Sequence, residues 1–268
     1  MKSRKNQAIG VFDSGVGGLT VVKSLRKHLP NEDIIYFGDT ARVPYGNKSR
    51  ETVKKFSREI IEFLIGRGAK IVVAACNTAS SLAVPAVKKE YSVPVLGVID
   101  SGARVAALAS KNGRIGVIGT DSTIMSRSYD RALKKCDASC KLFSRSCPLF
   151  VPLVENEFSK DPVTRTIAKR YLKYFDGKGI DTLILGCTHY PILKTAIQGI
   201  MKKVTLVDSA TGVAKSVVKV LEENDLRAKT RKRDARIQCF VSDDPAGFKK
   251  VANIFLKEKF NVKKVVTG

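Results

Sequence analysis

Short apolar runs alternate with longer amphipathic stretches from one end of the chain to the other. The runs predict strands near 7–12, 34–37, 70–75, 94–98, 114–118, 182–186, 203–207 and 237–241. Between them, apolar positions recur at helical spacing over 17–29, 49–66, 79–91, 101–111, 122–135, 163–175, 191–201, 209–224 and 245–258. A run such as Ile71-Val72-Val73-Ala74 lacks the in–out alternation of a strand with one wet face. It suits a strand covered on both sides. With helices between such strands, the pattern predicts an α/β protein built on mainly parallel sheets.

The pattern is also duplicated. Ile9-Gly10-Val11-Phe12-Asp13-Ser14 is echoed by Ile115-Gly116-Val117-Ile118-Gly119-Thr120-Asp121-Ser122. Cys76 follows Ile9 by 67 residues and Cys187 follows Ile115 by 72, and both intervals fit strand–helix–strand–helix–strand. Two similar halves facing one another would bring both cysteines to a shared cleft. Beyond about 208 the chain has no counterpart of its own. Asp208-Ser209 makes a good helix start there, and the simplest arrangement returns this segment to the first half. The expected domains are therefore 1–98 plus 209–268, and 99–208, with the basic run 227–236 as an exposed loop.

The chemistry concentrates at the two cysteines. Each apolar run, Ile71 to Ala75 and Leu183 to Gly186, ends in a cysteine followed by small polar residues and a helical pattern. In a parallel sheet that position is the carboxyl end of a strand, where α/β folds bind ligands. Two opposed thiols could form a redox pair, although they do not form a Cys-x-x-Cys motif. One could be a nucleophile with the other incidental, or each could move a proton on one face of a substrate carbon. The last option needs a local aid for each thiolate, because free thiols ionise near ~8.5; Asp13 and His189 are the candidates. Asp13-Ser14-Gly15-Val16-Gly17-Gly18 opens a helix and offers backbone N–H groups to an anion. Thr20 stands where a dinucleotide fingerprint would carry its third glycine, and no Gly-Lys-Ser/Thr ending follows. Ser14, Asn77, Thr78 and Thr188 would line a polar site suited to a zwitterionic amino acid. The plainer alternative for each is capping of the next helix, and for Tyr45, in Pro44-Tyr45-Gly46, an ordinary surface aromatic.

Composition narrows the class. The 268 residues are 44% hydrophobic, enough for a substantial core. No run reaches the ~18–20 apolar residues of a membrane span, and no apolar signal core precedes Ile9, so no membrane association and a cytoplasmic location are expected. Six cysteines are too sparse for a disulfide scaffold. Cys136, Cys140 and Cys147 cluster without a nearby histidine and read as reduced cysteines rather than a zinc site. Forty-eight Lys+Arg against 25 Asp+Glu give a net charge of +23. That keeps a nucleic-acid role open without favouring it, because the basic residues are spread over many helices with no interleaved aromatics.

Several of these segments closely resemble glutamate racemases, within the cofactor-independent aspartate/glutamate racemase superfamily. They are Phe12 to Gly18, Phe37 to Gly46, Ala75 to Ser80, Cys147 to Glu155 and Leu185 to Pro191, with Val207-Asp208-Ser209-Ala210 also family-like. They occur in family order over about 10–210. The resemblance implies two pseudo-symmetric α/β domains with the active site in the cleft between them. It implies Cys76 and Cys187 as the acid/base pair, with Asp13 aiding Cys76, and His189 and Glu155 near Cys187. Substrate contacts carry over to Asp13, Ser14, Tyr45, Gly46, Asn77, Thr78, Thr188 and His189. The implied reaction interconverts L- and D-glutamate for peptidoglycan synthesis, with no metal or pyridoxal cofactor and a homodimer as the expected assembly. Aspartate racemase on the same fold is the alternative; its members commonly carry Glu where this chain has His189. The high positive charge departs from most of the family.

Overall fold

The first apolar run forms strand β1 (Ala8–Asp13), buried at every position. Helix α1 (Leu19–His28), strand β2 (Ile34–Gly38), helix α2 (Arg50–Gly66) and strand β3 (Ala69–Ala74) follow. Two short helices, α3 (Asn77–Leu82) and α4 (Val84–Val87), lead to β4 (Val95–Gly97) and α5 (Ile99–Ala109). The next part of the chain runs through β5 (Arg114–Gly119), α6 (Asp121–Met125), α7 (Ser128–Cys136), β6 (Lys141–Ser146), α8 (Phe150–Glu155) and α9 (Pro162–Leu172). It continues through β7 (Thr182–Gly186), α10 (Lys194–Ile200) and β8 (Thr205–Asp208) to α11 (Ala210–Glu223), β9 (Ile237–Val241), α12 (Pro245–Phe255) and β10 (Val262–Lys264). This is a computed structural model, and it describes residues 4–228, 235–256 and 260–266. Most of the basic run expected to form a loop, 229–234, lies outside the described residues.

The strands form two sheets with every pairing parallel, in the orders β10-β9-β2-β1-β3-β4 and β6-β5-β7-β8. The orders β2-β1-β3-β4 and β6-β5-β7-β8 are one arrangement used twice, so the sequence echo is also an echo of topology. Ile9 pairs with Ile34 and Ile71; its counterpart Ile115 pairs with Leu142 and Thr182. One apolar core runs through both halves, from Ile9, Val11 and Val73 to Ile118, Leu183 and Leu185. Helix α11 contributes Val213, Val217 and Leu221 to it and packs on both α1 and α5. Each such side chain, fully buried, adds about 1.5–3 kcal/mol, so α11 ties the halves together along its apolar face.

The expected elements and the observed ones differ where local chemistry breaks a pattern. The single helix expected over 79–91 is α3 plus α4. Pro85 has no N–H for the Ser81 carbonyl, one helical turn back, and Ser128 Oγ occupies that oxygen instead at 3.3 Å. The helix expected over 122–135 breaks at Arg127, whose φ of 51° is left-handed, giving α6 and α7. Strand β6 was not expected: Lys141-Leu142-Phe143-Ser144-Arg145-Ser146 is an edge strand with no fully buried position, so it carries no apolar run. The same holds for edge strand β10. Helix α8 is too short, and too interrupted by Pro152, to show a period.

Strand β6 also separates the clustered cysteines. Cys140 precedes it and Cys147 follows it, about 23 Å apart at a strand rise of ~3.3 Å per residue. Cys136 is exposed, and the other two are buried. At the other end of the first sheet, Lys70 and Glu32 form a fully buried ion pair at 2.5 Å. Lys70 Nζ also donates to the carbonyls of Lys5 and Leu226, each at 2.8 Å, and Ala228 N donates to Glu32 Oε1 at 2.7 Å. The pair thereby pins the beginning of the described chain and the segment after α11 to the sheet. Among the described residues, no helix is long and apolar enough to cross a membrane.

Candidate active site

Strands β1, β3, β5 and β7 point their carboxyl ends at one small cavity. Just beyond those ends lie Ser14, Cys76, Asn77, Thr78, Thr120, Cys187, Thr188 and His189, all on its wall. The loop Val43-Pro44-Tyr45-Gly46 and Val151 close the remaining sides. The structure thus brings both cysteines and most of the expected polar residues to one place. The cavity is small, about 30 Å³. Larger concavities lie elsewhere, one of them along β9, α12 and residues 260–263, but they hold none of the expected site residues.

The two thiols sit in unlike surroundings. Cys76 occupies the N-cap position of α3, and its Sγ lies 3.7 Å from Ser14 Oγ. Burial and then the charge of Asp13 push its pKa up to about 12, which holds it as a thiol. Cys187 Sγ is 3.9 Å from His189 Nδ1. On the other side of the ring, His189 Nε2 lies 3.1 Å from Glu155 Oε1, within ion-pair range but too oblique for a hydrogen bond. Burial alone would lower the His189 pKa. The Cys187 thiol and the Glu155 carboxylate more than reverse that, raising it to about 10.

Asp13 is fully buried; desolvation raises its pKa, opposed by the charge of His189 and by the Gly15 N–H. Its oxygens accept from Gly15 N at 3.1 Å and from Thr188 Oγ1 at 3.3 Å. Asp13 therefore reaches across to the Cys187 loop through Thr188. Its effect on Cys76 is through charge, with Ser14 as that thiol's hydrogen-bond neighbour. Neither Asp13 nor Glu155 lines the cavity itself.

Of the polar lining, Thr120 caps α6 by accepting from Thr123 N. Helices α1 and α3 begin at Gly18 and Cys76 with no side-chain cap, leaving Ser14, Asn77 and Thr78 free for other partners. Asn77 Oδ1 accepts from Tyr129 OH at 2.7 Å, while Asn77 Nδ2 is buried without a partner. Thr78 Oγ1 lies 3.0 Å from Thr120 Oγ1 and 3.3 Å from Thr123 Oγ1. Tyr45 is not the surface aromatic that its loop position suggested. It is 1% exposed, and its hydroxyl donates to the buried carboxylate of Asp39, which Arg42 Nε also holds at 2.7 Å. This loop bears on α6: a Cβ at Gly46 would lie 2.8 Å from Thr120 Cβ, and Ser122 Oγ donates to Gly46 O at 2.7 Å.

Thr120, Val43 and Val151 line the cavity without having been singled out in the sequence. For Thr120 the signal was present: aligning the two echoes on their strands sets Thr120 opposite Ser14. Among the described residues, no group of three or more His, Cys, Asp or Glu side chains is arranged to hold a metal ion. Two thiols with hydroxyl and amide donors between them are equipped to take a proton from one face of a carbon and return one to the other.

Known proteins with this fold and these motifs give a consistent answer. The family described as Asp/Glu/Hydantoin racemase matches residues 16–217. A glutamate racemase of Geobacter metallireducens is 50% identical over 254 residues, covering 94% of each chain. Among solved structures, a glutamate racemase isoform of Bacillus anthracis superposes with a TM-score of 0.93 at 38% identity, over 97% of this chain and 98% of that one. The glutamate racemase of Francisella tularensis, solved in complex with D-glutamate, gives 0.92 at 40% identity over 98% of both. The chain belongs to the Asp/Glu/hydantoin racemase family and is by that membership an isomerase.

Proposed function

We propose that this protein interconverts L- and D-glutamate by two-base proton transfer, with Cys76 and Cys187 on opposite faces of Cα. The observation that carries the reading is the pair of thiols at matching strand ends on one cavity wall. Glutamate is favoured over aspartate because relatives such as the 50% identical one are glutamate racemases, and because His189 stands where aspartate racemases commonly carry Glu. The cleft would lie between a domain of residues 1–98 plus 209–268 and a domain of 99–208. The sheet memberships are consistent with that division.

In the direction L to D, Cys187 acts as thiolate and base, with His189 taking up its proton and Glu155 beside the ring. Cys76, held as a thiol by burial, donates to the other face. An amino-acid α-proton is a weak acid, so the site must stabilise enediolate character on the substrate carboxylate. Asn77 Nδ2 and the hydroxyls of Thr78 and Ser14 are available donors, and they cost no reorganisation if already aimed. Exclusion of water from so tight a cavity strengthens each of these interactions. The reading requires no cofactor. The enzyme would work in the cytoplasm as a homodimer and supply D-glutamate for peptidoglycan.

Purified protein treated with a chelator should racemise glutamate far faster than aspartate, and the product formed in D2O should carry deuterium at Cα. Cys76→Ser and Cys187→Ser should each cost several orders of magnitude, with the double variant hardly worse. Original hydrogen retained in the product under initial-rate conditions would overturn the two-base scheme, and preferred turnover of aspartate would overturn the substrate.

A further inference from the structure

Tyr129 opens α7, is 2% exposed, and has no part in the scheme above. Its ring occupies a slot between two glycines. A Cβ at Gly102 of α5 would lie 3.1 Å from its hydroxyl, and a Cβ at Gly186 would lie 3.2 Å from its Cε2. Gly186 directly precedes Cys187. From this slot the hydroxyl donates to Asn77 Oδ1 at 2.7 Å, and Asn77 directly follows Cys76. One side chain therefore touches the backbone beside one thiol and the amide beside the other. Its neighbour Ser128 fastens the same turn of α7 to the carbonyl of Ser81, further along α3, at 3.3 Å.

The phenol O–H, buried in its slot, needs an acceptor, and Oδ1 supplies it, which turns the amide oxygen toward the phenol. With Oδ1 engaged by the phenol, Nδ2 is the atom left over, and it is buried without a partner on a residue of the cavity wall. A buried unpaired N–H is costly and persists where a ligand supplies its acceptor. An amide turned the other way would present its oxygen to an anionic substrate and repel it.

We propose that Tyr129 is a positioning residue that fixes the Asn77 amide with its N–H toward the cavity, ready to donate to a carboxylate oxygen of the substrate. The proposal rests on the amino-acid racemase reading for its substrate, while the orientation of the amide can be observed without turnover.

Tyr129→Phe keeps the ring in its slot and removes one oxygen. It should lower kcat/KM about tenfold, equally in both directions and mainly through KM, the effect of one lost hydrogen bond. Asn77→Ala should cost more, and Tyr129→Phe added to Asn77→Ala should cost nothing further. A phenol that only supports packing would lower kcat/KM by the same factor in both backgrounds, and that result would overturn the proposal. Independently of activity, the side-chain amide signals of Asn77 can be followed by NMR, assigned by their loss in Asn77→Ala. They should shift and exchange faster with water in Tyr129→Phe. Unchanged signals overturn the positioning role whether or not glutamate is turned over. A wild-type protein inert toward glutamate would instead overturn the reaction reading, with the amide measurement still deciding the role of Tyr129.

Discussion

Gly17 offers a test of how closely the two halves must meet for catalysis. It lies in the turn after β1, yet the nearest atoms to a Cβ built there belong to the other cysteine loop. They are Thr188 Oγ1 at 2.5 Å, His189 Nδ1 at 2.8 Å and Thr188 Cβ at 2.9 Å. Rotating Thr188 does not relieve the clash, because its Cβ does not move. Thr188 Oγ1 is also engaged with Asp13, and His189 Nδ1 faces Cys187. Gly17→Ala must therefore push the backbone at 187–189 by about half an ångström, the shortfall of 2.9 Å against an ordinary contact of at least 3.4 Å. A misplacement of ~1 Å in an active site costs about a hundredfold, so kcat/KM for glutamate should fall roughly tenfold in both directions. Overpacking also costs about 1–3 kcal/mol, and at ~2–4 °C per kcal/mol for a chain approaching this length the melting point should drop by several degrees. Gly199→Ala in α10, where a Cβ meets nothing within 4 Å, is the control and should leave turnover unchanged. Circular-dichroism-monitored racemisation and thermal melting read both quantities. If Gly17→Ala is as active as Gly199→Ala, the claim that the Gly17 turn sets the position of His189 is wrong.

Lys70→Met should destabilise the protein by about 3–5 kcal/mol, because Glu32 would remain buried without its counter-ion; urea unfolding within ~0.5 kcal/mol of wild type would refute this. The pH dependence of stability should carry the signature of His189. Its pKa is raised to about 10 in the folded protein from an ordinary 6.5, so its contribution is fully present below pH ~6.5 and lost as pH rises toward ~10. Over that window, wild type should lose stability relative to His189→Asn by up to about 1.4 kcal/mol per pH unit, and parallel profiles would show that His189 is not held protonated.

The sheets were legible because both are covered on two faces, and such strands write themselves as unbroken apolar runs: β1, β2, β3 and β7 are buried at every position. What the sequence hid follows from the same physics. The edge strands β6 and β10 have no second covering layer and read as polar segments, and Lys70 interrupts an apolar run with a charge whose partners come from distant parts of the chain. The cysteines were legible because a thiol at a strand's carboxyl end is a local pattern. Tyr129 was not, since its place depends on a contact with Asn77, in a segment far away in sequence; the partner of Tyr45 lies only six residues off, but its burial is not a local pattern.

The duplicated scaffold has a consequence for direction. Sheet order is the same around each thiol, but the near neighbours differ: a serine hydroxyl at Cys76, and an imidazole backed by a carboxylate at Cys187. Symmetric backbone placement suits a reaction whose two ends are mirror images. In the proposed two-base scheme, unlike neighbours would leave the free enzyme poised for one enantiomer, with a proton to be shifted before it accepts the other. Equilibrium between free enantiomers fixes kcat/KM as equal in the two directions, whatever the neighbours do. The asymmetry built into the site can therefore appear only in kcat and KM taken separately. A change at His189 should redistribute those two parameters between the directions while leaving their ratio matched.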